Sequence, residues 1–160
     1  MTEPRWDRFR WLIPGQLAGS PHPDLFGGLH ALKPFIRNNG VRAIVTLGTE
    51  PLDPTPESVG LRGYFSHTEN YRPPPDLPEI LDFIDDCIDR DLPVVAHCFA
   101  GIGRTGTVLA TWLLRHHPSM GADAAIERVR DTYIPRYARG RFPEDPSQEE
   151  AMRAFARMRS

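Results

Sequence analysis

Short apolar runs alternate along the chain with longer segments in which apolar residues return every three or four positions, and that rhythm predicts an α/β domain. Strands are expected at 10–13, 17–19, 43–47, 63–67 and 93–97, and helices at 23–38, 78–90, 103–116, 121–132 and 147–158. Asn39-Gly40 is a suitable stop for the first helix, although Gly27, Gly28 and Pro34 inside it point to an irregular opening turn. The last helix opens with Ser147 and Glu150 in capping-box spacing, and Ala151, Phe155 and Met158 mark its buried side. Segments 48–62 and 134–146, rich in Pro, Gly and charge, read as loops. The expected fold is a short, mostly parallel central sheet with helices on both faces, its ligand site at the carboxyl end of a central strand.

The 160 residues, 40% of them hydrophobic, suffice for one domain of ordinary core size spanning 1–160. A net charge of −2 argues against a general nucleic-acid binder, although Arg136, Arg139 and Arg141 cluster locally. No apolar run approaches the ~18 residues of a membrane span, and the first residues lack the apolar core of a signal peptide. Two cysteines make no disulfide framework, and the expected location is cytoplasmic. Cys87 falls on an apolar stripe with Ile80, Phe83, Ile84 and Ile88, which reads as core; a redox partnership with Cys98 is the alternative.

The chemistry is concentrated in His97-Cys98-Phe99-Ala100-Gly101-Ile102-Gly103-Arg104-Thr105-Gly106, between an expected buried strand and an expected helix. A loop closed by a helix N-terminus offers unpaired backbone N–H groups and the positive end of the helix dipole, and both favour an oxyanion. Gly101 and Gly103 let the backbone curl so that amides from Phe99 through Ala100 and Ile102 to Arg104 converge on one centre. Cys98 lies at the floor of that nest, where the field that holds phosphate also favours thiolate over thiol. Arg104 adds a planar fork able to clamp two phosphate oxygens, and Thr105 can donate its hydroxyl to the sulfur. His97 reads as a hydrogen-bonding lock on the loop rather than a participant in chemistry.

At these residues the chain resembles the cysteine-based protein tyrosine phosphatases, whose signature is His-Cys, five residues, Arg, then Ser or Thr. The Gly-Ile-Gly-Arg-Thr-Gly stretch resembles the dual-specificity branch, and in particular its small atypical, VHZ-like members. Trp11 to Gly19 is similar to their N-terminal strand and turn, and Gly40 to Leu47 to their next strand. The resemblance covers about residues 9–158, strongly at the loop and weakly between 48 and 75. It implies a single phosphatase domain with no cofactor and no metal, acting on a phosphorylated protein or peptide, with a monomer as the expected state.

The resemblance also implies a general acid, an Asp on a separate loop about thirty residues before the Cys. Here that region reads His67-Thr68-Glu69-Asn70-Tyr71-Arg72-Pro73-Pro74-Pro75-Asp76. Aligning the prolines and Asp76 puts Glu69 at the acid position, whereas a slip of one residue puts Asn70 there. Asp76 is the other carboxylate of the segment, but it reads as the cap of the next helix. Gln148 resembles the family's water-orienting Gln; a solvent-facing helix residue is the alternative. Arg136, Tyr137, Arg139 and Arg141 form either a rim that prefers an acidic phosphopeptide or second phosphate, or a solvated loop.

The reaction so implied is hydrolysis of a phosphate monoester through a phosphocysteine, with Cys98 as nucleophile, Arg104 and the loop amides stabilising charge, and Glu69 protonating the leaving oxygen. Protein phosphotyrosine and phosphoserine/threonine are the implied substrates. A phosphoinositide or small-molecule phosphatase is the enzymatic alternative, and an acid-deficient phosphate-binding module the non-enzymatic one.

Overall fold

A computed structural model describes residues 9–30, 36 and 38–159. Five strands, β1 (Arg10–Ile13), β2 (Leu17–Ser20), β3 (Ala43–Gly48), β4 (Arg62–His67) and β5 (Val94–His97), form one sheet in the order β1-β2-β5-β3-β4. β1 runs antiparallel to β2, and every other pairing is parallel. Among the elements whose bounds are fully described, the α-helices in chain order are α1 (Leu77–Asp89), α2 (Gly103–His116), α3 (Ala122–Thr132) and α4 (Pro146–Met158).

Strand residues alternate between two cores, as the pleat requires. Leu17, Ala43, Val45, Val94 and Ala96 face a large core shared with α1 to α4, while Ala18, Ile44 and Val95 face a smaller one with Leu29 and Val41. β5 is buried at all four positions and lies in the middle of the sheet, which is why its sequence is a continuous apolar run ending in His97. Every residue of α2 from Gly103 to Leu114 is buried, so the helix that follows the Cys98 loop is also the central pillar of the main core.

The expected helix over 23–38 is interrupted. Pro23–Phe26 forms a 3-10 turn whose first N–H groups are met by His22, Gly27 (φ 98°) and Gly28 (φ 92°) break it, and helical backbone resumes at Leu29. The part of that expectation at 31–35 and 37 lies outside the described residues, and Gly40 (φ 75°) ends the segment as the Asn39-Gly40 stop anticipates. Two further 3-10 turns, Pro56–Val59 and Arg136–Arg141, occupy the segments read as loops.

The start and buried face of α4 also differ from expectation. Its cap is Asp145, whose carboxylate accepts the Ser147 N–H at 2.8 Å, because Pro146 takes the first helical position and moves the boundary back. Gln148 and Met152 are its fully buried residues; Ala151 and Phe155 only flank the core, and Met158 is 82% exposed. Asp76 stands at the cap position of α1 but makes no side-chain bond to that helix.

Candidate active site

The loop between β5 and α2 lies at the carboxyl edge of the four parallel strands, where open α/β sheets bind ligands. Cys98 is 3% exposed, and its Sγ accepts hydrogen bonds from the Gly101 N–H at 3.3 Å and the Thr105 hydroxyl at 3.1 Å. Gly101 has φ +76°, and a Cβ there would stand 2.7 Å from the Pro21 nitrogen, so the curl that turns its amide toward the sulfur needs glycine. Two outside groups hold the loop: the Phe99 carbonyl accepts the His22 N–H at 2.9 Å, and the Gly101 carbonyl accepts the Tyr133 hydroxyl at 2.6 Å. Among the described residues no side chain caps α2, so the N–H groups of its first turn face the loop without a competing side-chain acceptor there.

Arg104 is 7% exposed, and its Nη1 donates to the Thr68 carbonyl at 3.0 Å. It pairs with no carboxylate among the described residues, leaving its charge available to an anionic ligand. A cleft of about 340 Å³ opens beside it, lined by Phe99, His22, Thr46, Gly48 and Glu50 among others. Phe99 is 62% exposed and forms part of the rim, whereas Ile102 is buried beneath the loop and Ala100 is packed against the main core.

His97 is fully buried, and burial pushes its pKa down to about 3, so the ring is neutral near pH 7. Its Nδ1 lies 3.2 Å from the Cys98 carbonyl, which can only accept, so Nδ1 carries the proton and Nε2 accepts from the Thr46 hydroxyl at 2.9 Å. The residue therefore ties β3 to the backbone of Cys98. His22 packs edge-on against it at 5.1 Å; its own pKa is lowered, chiefly by burial, with Asp24 opposing and Arg104 reinforcing.

The two carboxylates of the expected acid segment have different surroundings. Glu69 follows the Thr68 carbonyl that Arg104 grips, and its carboxylate, 66% exposed, pairs with His67 at 3.1 Å. Asp76 is engaged elsewhere: it accepts the Tyr64 hydroxyl at 2.7 Å and the Ser66 hydroxyl, and Ser66 in turn contacts the Thr68 hydroxyl at 3.1 Å. Burial and the neighbouring Asp76 raise the Tyr64 pKa, so its hydroxyl stays protonated as a donor. Asp76 thus staples the acid segment to β4 instead of capping α1.

Gln148 is fully buried, which removes the solvent-facing alternative. Its Oε1 accepts the Glu144 N–H at 2.9 Å, while its Nε2 has no hydrogen-bond partner among the described residues. Both the Gln148 amide and the Glu144 carboxylate rest on Gly103: a Cβ there would lie 2.8 Å from Nε2 and closer still to Glu144 Oε1. Glu144 is 12% exposed and pairs with Arg141 at 3.2 Å. Glu144, Tyr133 and Thr46 escaped the sequence reading. The available signal for Glu144 was its position four residues before Gln148, but the helix boundary at Asp145-Pro146 concealed that the Gln148 side chain reaches back to the Glu144 N–H. Cys87 is fully buried in α1, its thiol pKa raised mainly by burial. Among the described residues, no group of three or more His, Cys, Asp or Glu could hold a metal ion, and no helix is long and apolar enough to cross a membrane.

A buried cysteine that accepts the Gly101 amide and the Thr105 hydroxyl, with an arginine six residues on at the head of the next helix, lies at the carboxyl edge of a parallel sheet, as in a cysteine-based tyrosine phosphatase fold. Residues 31–118 match the family described as "Tc-R-P: Polymorphic toxin system, DSP-PTPase phosphatase", and the chain belongs to that family. Dual specificity protein phosphatase CDC14B of Mus musculus is 27% identical over 128 residues, which are 72% of this chain and 26% of that protein. CDC14AB of Danio rerio is 31% identical over 124 residues, 71% of this chain and 20% of that protein. The chain therefore spans only a fifth to a quarter of the length of these relatives. Among solved structures, Tk-PTP in the active form superposes with a TM-score of 0.77 at 23% identity, covering 96% of this chain and 99% of that one. PTPMT1 in complex with PI(5)P gives 0.76 at 18%, covering 94% and 96%. Both likenesses establish the fold.

Proposed function

We propose that the chain hydrolyses phosphate monoesters of proteins, on phosphotyrosine and/or phosphoserine/threonine, through a phosphocysteine intermediate and without a metal. The observation that carries this reading is the set of hydrogen bonds on Cys98: the Gly101 amide and Thr105 hydroxyl both donate to Sγ, an arrangement that stabilises negative charge on sulfur. A binding module has no need of a nucleophile so prepared.

In the first half-reaction the Cys98 thiolate attacks phosphorus, forming the S–P bond as the ester P–O bond breaks. The amides of the loop and the Arg104 fork hold the equatorial oxygens, and Glu69 gives its proton to the departing oxygen. In the second, water attacks phosphorus, the S–P bond breaks and the thiolate returns. The unpartnered Gln148 Nε2 and the adjacent Glu144 carboxylate support a role in placing that water and taking its proton. The absence of Lys between Phe99 and Gly103 weighs against highly charged inositol phosphates and toward phosphopeptides.

The test is hydrolysis of an aryl phosphate in the presence of reductant and chelator, beside Cys98→Ser. Turnover that survives chelation and disappears in Cys98→Ser supports the reading. No turnover in folded protein that still binds vanadate would instead favour the binding module.

A further inference from the structure

A second concavity, of about 510 Å³, is lined by Arg10 of β1, Arg130, Asp131 and Thr132 of α3, and Arg136 and Arg139 of the following 3-10 turn. Four guanidinium groups from three elements share it with one carboxylate. Arg139 is fixed by Glu127 at 2.6 Å and by Asp131; Arg130 is fixed by Glu127 at 2.8 Å and by the Phe142 carbonyl at 2.8 Å. Arg10 and Arg136 have no partner among the described residues. Glu127 and Asp131 thus compensate the two inner arginines, and the outer two leave the pocket with uncompensated positive charge. Converging arginines repel one another unless an anion lies between them, and their planar forks suit the oxygens of a phosphate.

The position of this pocket relative to Cys98 is fixed. Arg10 pairs with Gly19, next to the Ser20 position that pairs with His97, so the pocket lies at the same edge of the sheet as the phosphate loop. Tyr133 separates the two, its ring packed on Gly19 and its hydroxyl on the Gly101 carbonyl. β1 is two strands from β5. At ordinary strand spacing that is about 10 Å, and with side-chain reach the gap corresponds to about three to five residues of extended chain.

We propose that this arginine pocket is a second anion site that binds a phosphate monoester or free phosphate, distinct from the nest over Cys98. Its use by a second phosphoresidue of the same substrate rests on the phosphatase reading above; its capacity for phosphate does not depend on turnover.

The experiment is an NMR titration of the folded protein with inorganic phosphate at constant ionic strength, following the Nε–H signals of Arg10, Arg130, Arg136 and Arg139 separately from the amides of Gly101 and Gly103. The result expected is a saturable shift at the arginines that is lost in Arg136→Ala and in Arg10→Ala, while the Gly101 and Gly103 response and aryl phosphate hydrolysis stay as in the parent. A non-saturating drift equal to that produced by chloride overturns the site. Peptides carrying one phosphate, or two placed three to five residues apart, are then compared for binding to Cys98→Ser. At least fivefold tighter binding of the doubly phosphorylated peptide, abolished by Arg136→Ala, assigns the pocket to substrate; equal binding alongside a saturable phosphate shift assigns it to free phosphate. Absence of aryl phosphate turnover would count against the catalytic reading alone, since the phosphate titration judges the pocket by itself.

Discussion

The Nη1 of Arg104 donates to the carbonyl of Thr68 at 3.0 Å, joining the Cys98 loop to the segment that carries Glu69. In the proposed mechanism one guanidinium thereby serves two elements, since the donors not used on Thr68 are the ones that hold phosphate oxygens. Lysine has no fork with which to do both. Arg104→Lys is expected to lower kcat/KM for an aryl phosphate by about 10²-fold or more and to weaken vanadate binding in parallel. Steady-state kinetics with a vanadate titration checks this, and a loss of less than threefold would remove Arg104 from the transition state.

Glu69 and Glu144 divide the proton transfers in the proposed mechanism, and their variants are expected to differ in kind. Glu69→Gln slows aryl phosphate turnover at least about tenfold with little change in vanadate affinity. Glu144→Gln slows breakdown of the phosphocysteine, so a burst of the phenol product appears in pre-steady-state traces. Wild-type rates in Glu69→Gln would transfer the acid role away from that residue.

The Asp76 carboxylate accepts two hydroxyl donors, Tyr64 and Ser66, beneath the acid segment. In Asp76→Ala both hydroxyls lose their acceptor, with an expected destabilisation of about 1–3 kcal/mol, read as a shift of the urea midpoint at unchanged slope. Turnover of aryl phosphate falls with it because the far end of the segment that carries Glu69 loses its anchor to β4. An unaltered midpoint would show that the staple carries no net stability.

His97 supplies a pH dependence with a definite sign. Its folded pKa of about 3 lies below the unfolded value of 6.5, so between those limits the unfolded chain binds more protons, and stability falls as pH falls. Each pH unit inside that window removes about 1.4 kcal/mol from this source. Denaturation of wild type and His97→Asn at pH 6 and pH 4.5 checks it: the wild type is expected to lose more stability across the interval, and equal losses would show that His97 does not titrate in this way.

Much of the fold was legible because its signals are local. β5 reads as a buried strand from Val94, Val95 and Ala96, α2 begins at Gly103 as anticipated, and Cys98, Gly101 and Thr105 meet because the chain brings them together within a few residues. What escaped depends on distant pairs. Nothing near Tyr133 indicates that its hydroxyl ends on Gly101, 32 positions away, and nothing near Asp76 indicates that Tyr64 and Ser66 claim it before α1 can. Gly103 illustrates the same limit: its value was read as backbone freedom, but the structure shows that its missing side chain makes room for Glu144 and Gln148. The shift of the α4 cap from Ser147 to Asp145 is a matter of one proline, which fixes the backbone at the first helical position.

The most direct test of the account is chemical trapping of the intermediate. Protein mixed with an aryl phosphate, quenched within a turnover and digested, is expected to carry a phosphoryl group on the peptide containing Cys98, at higher occupancy in Glu144→Gln than in wild type. Turnover with that peptide unmodified, or a phosphoryl group found on any other residue, would contradict nucleophilic catalysis by Cys98.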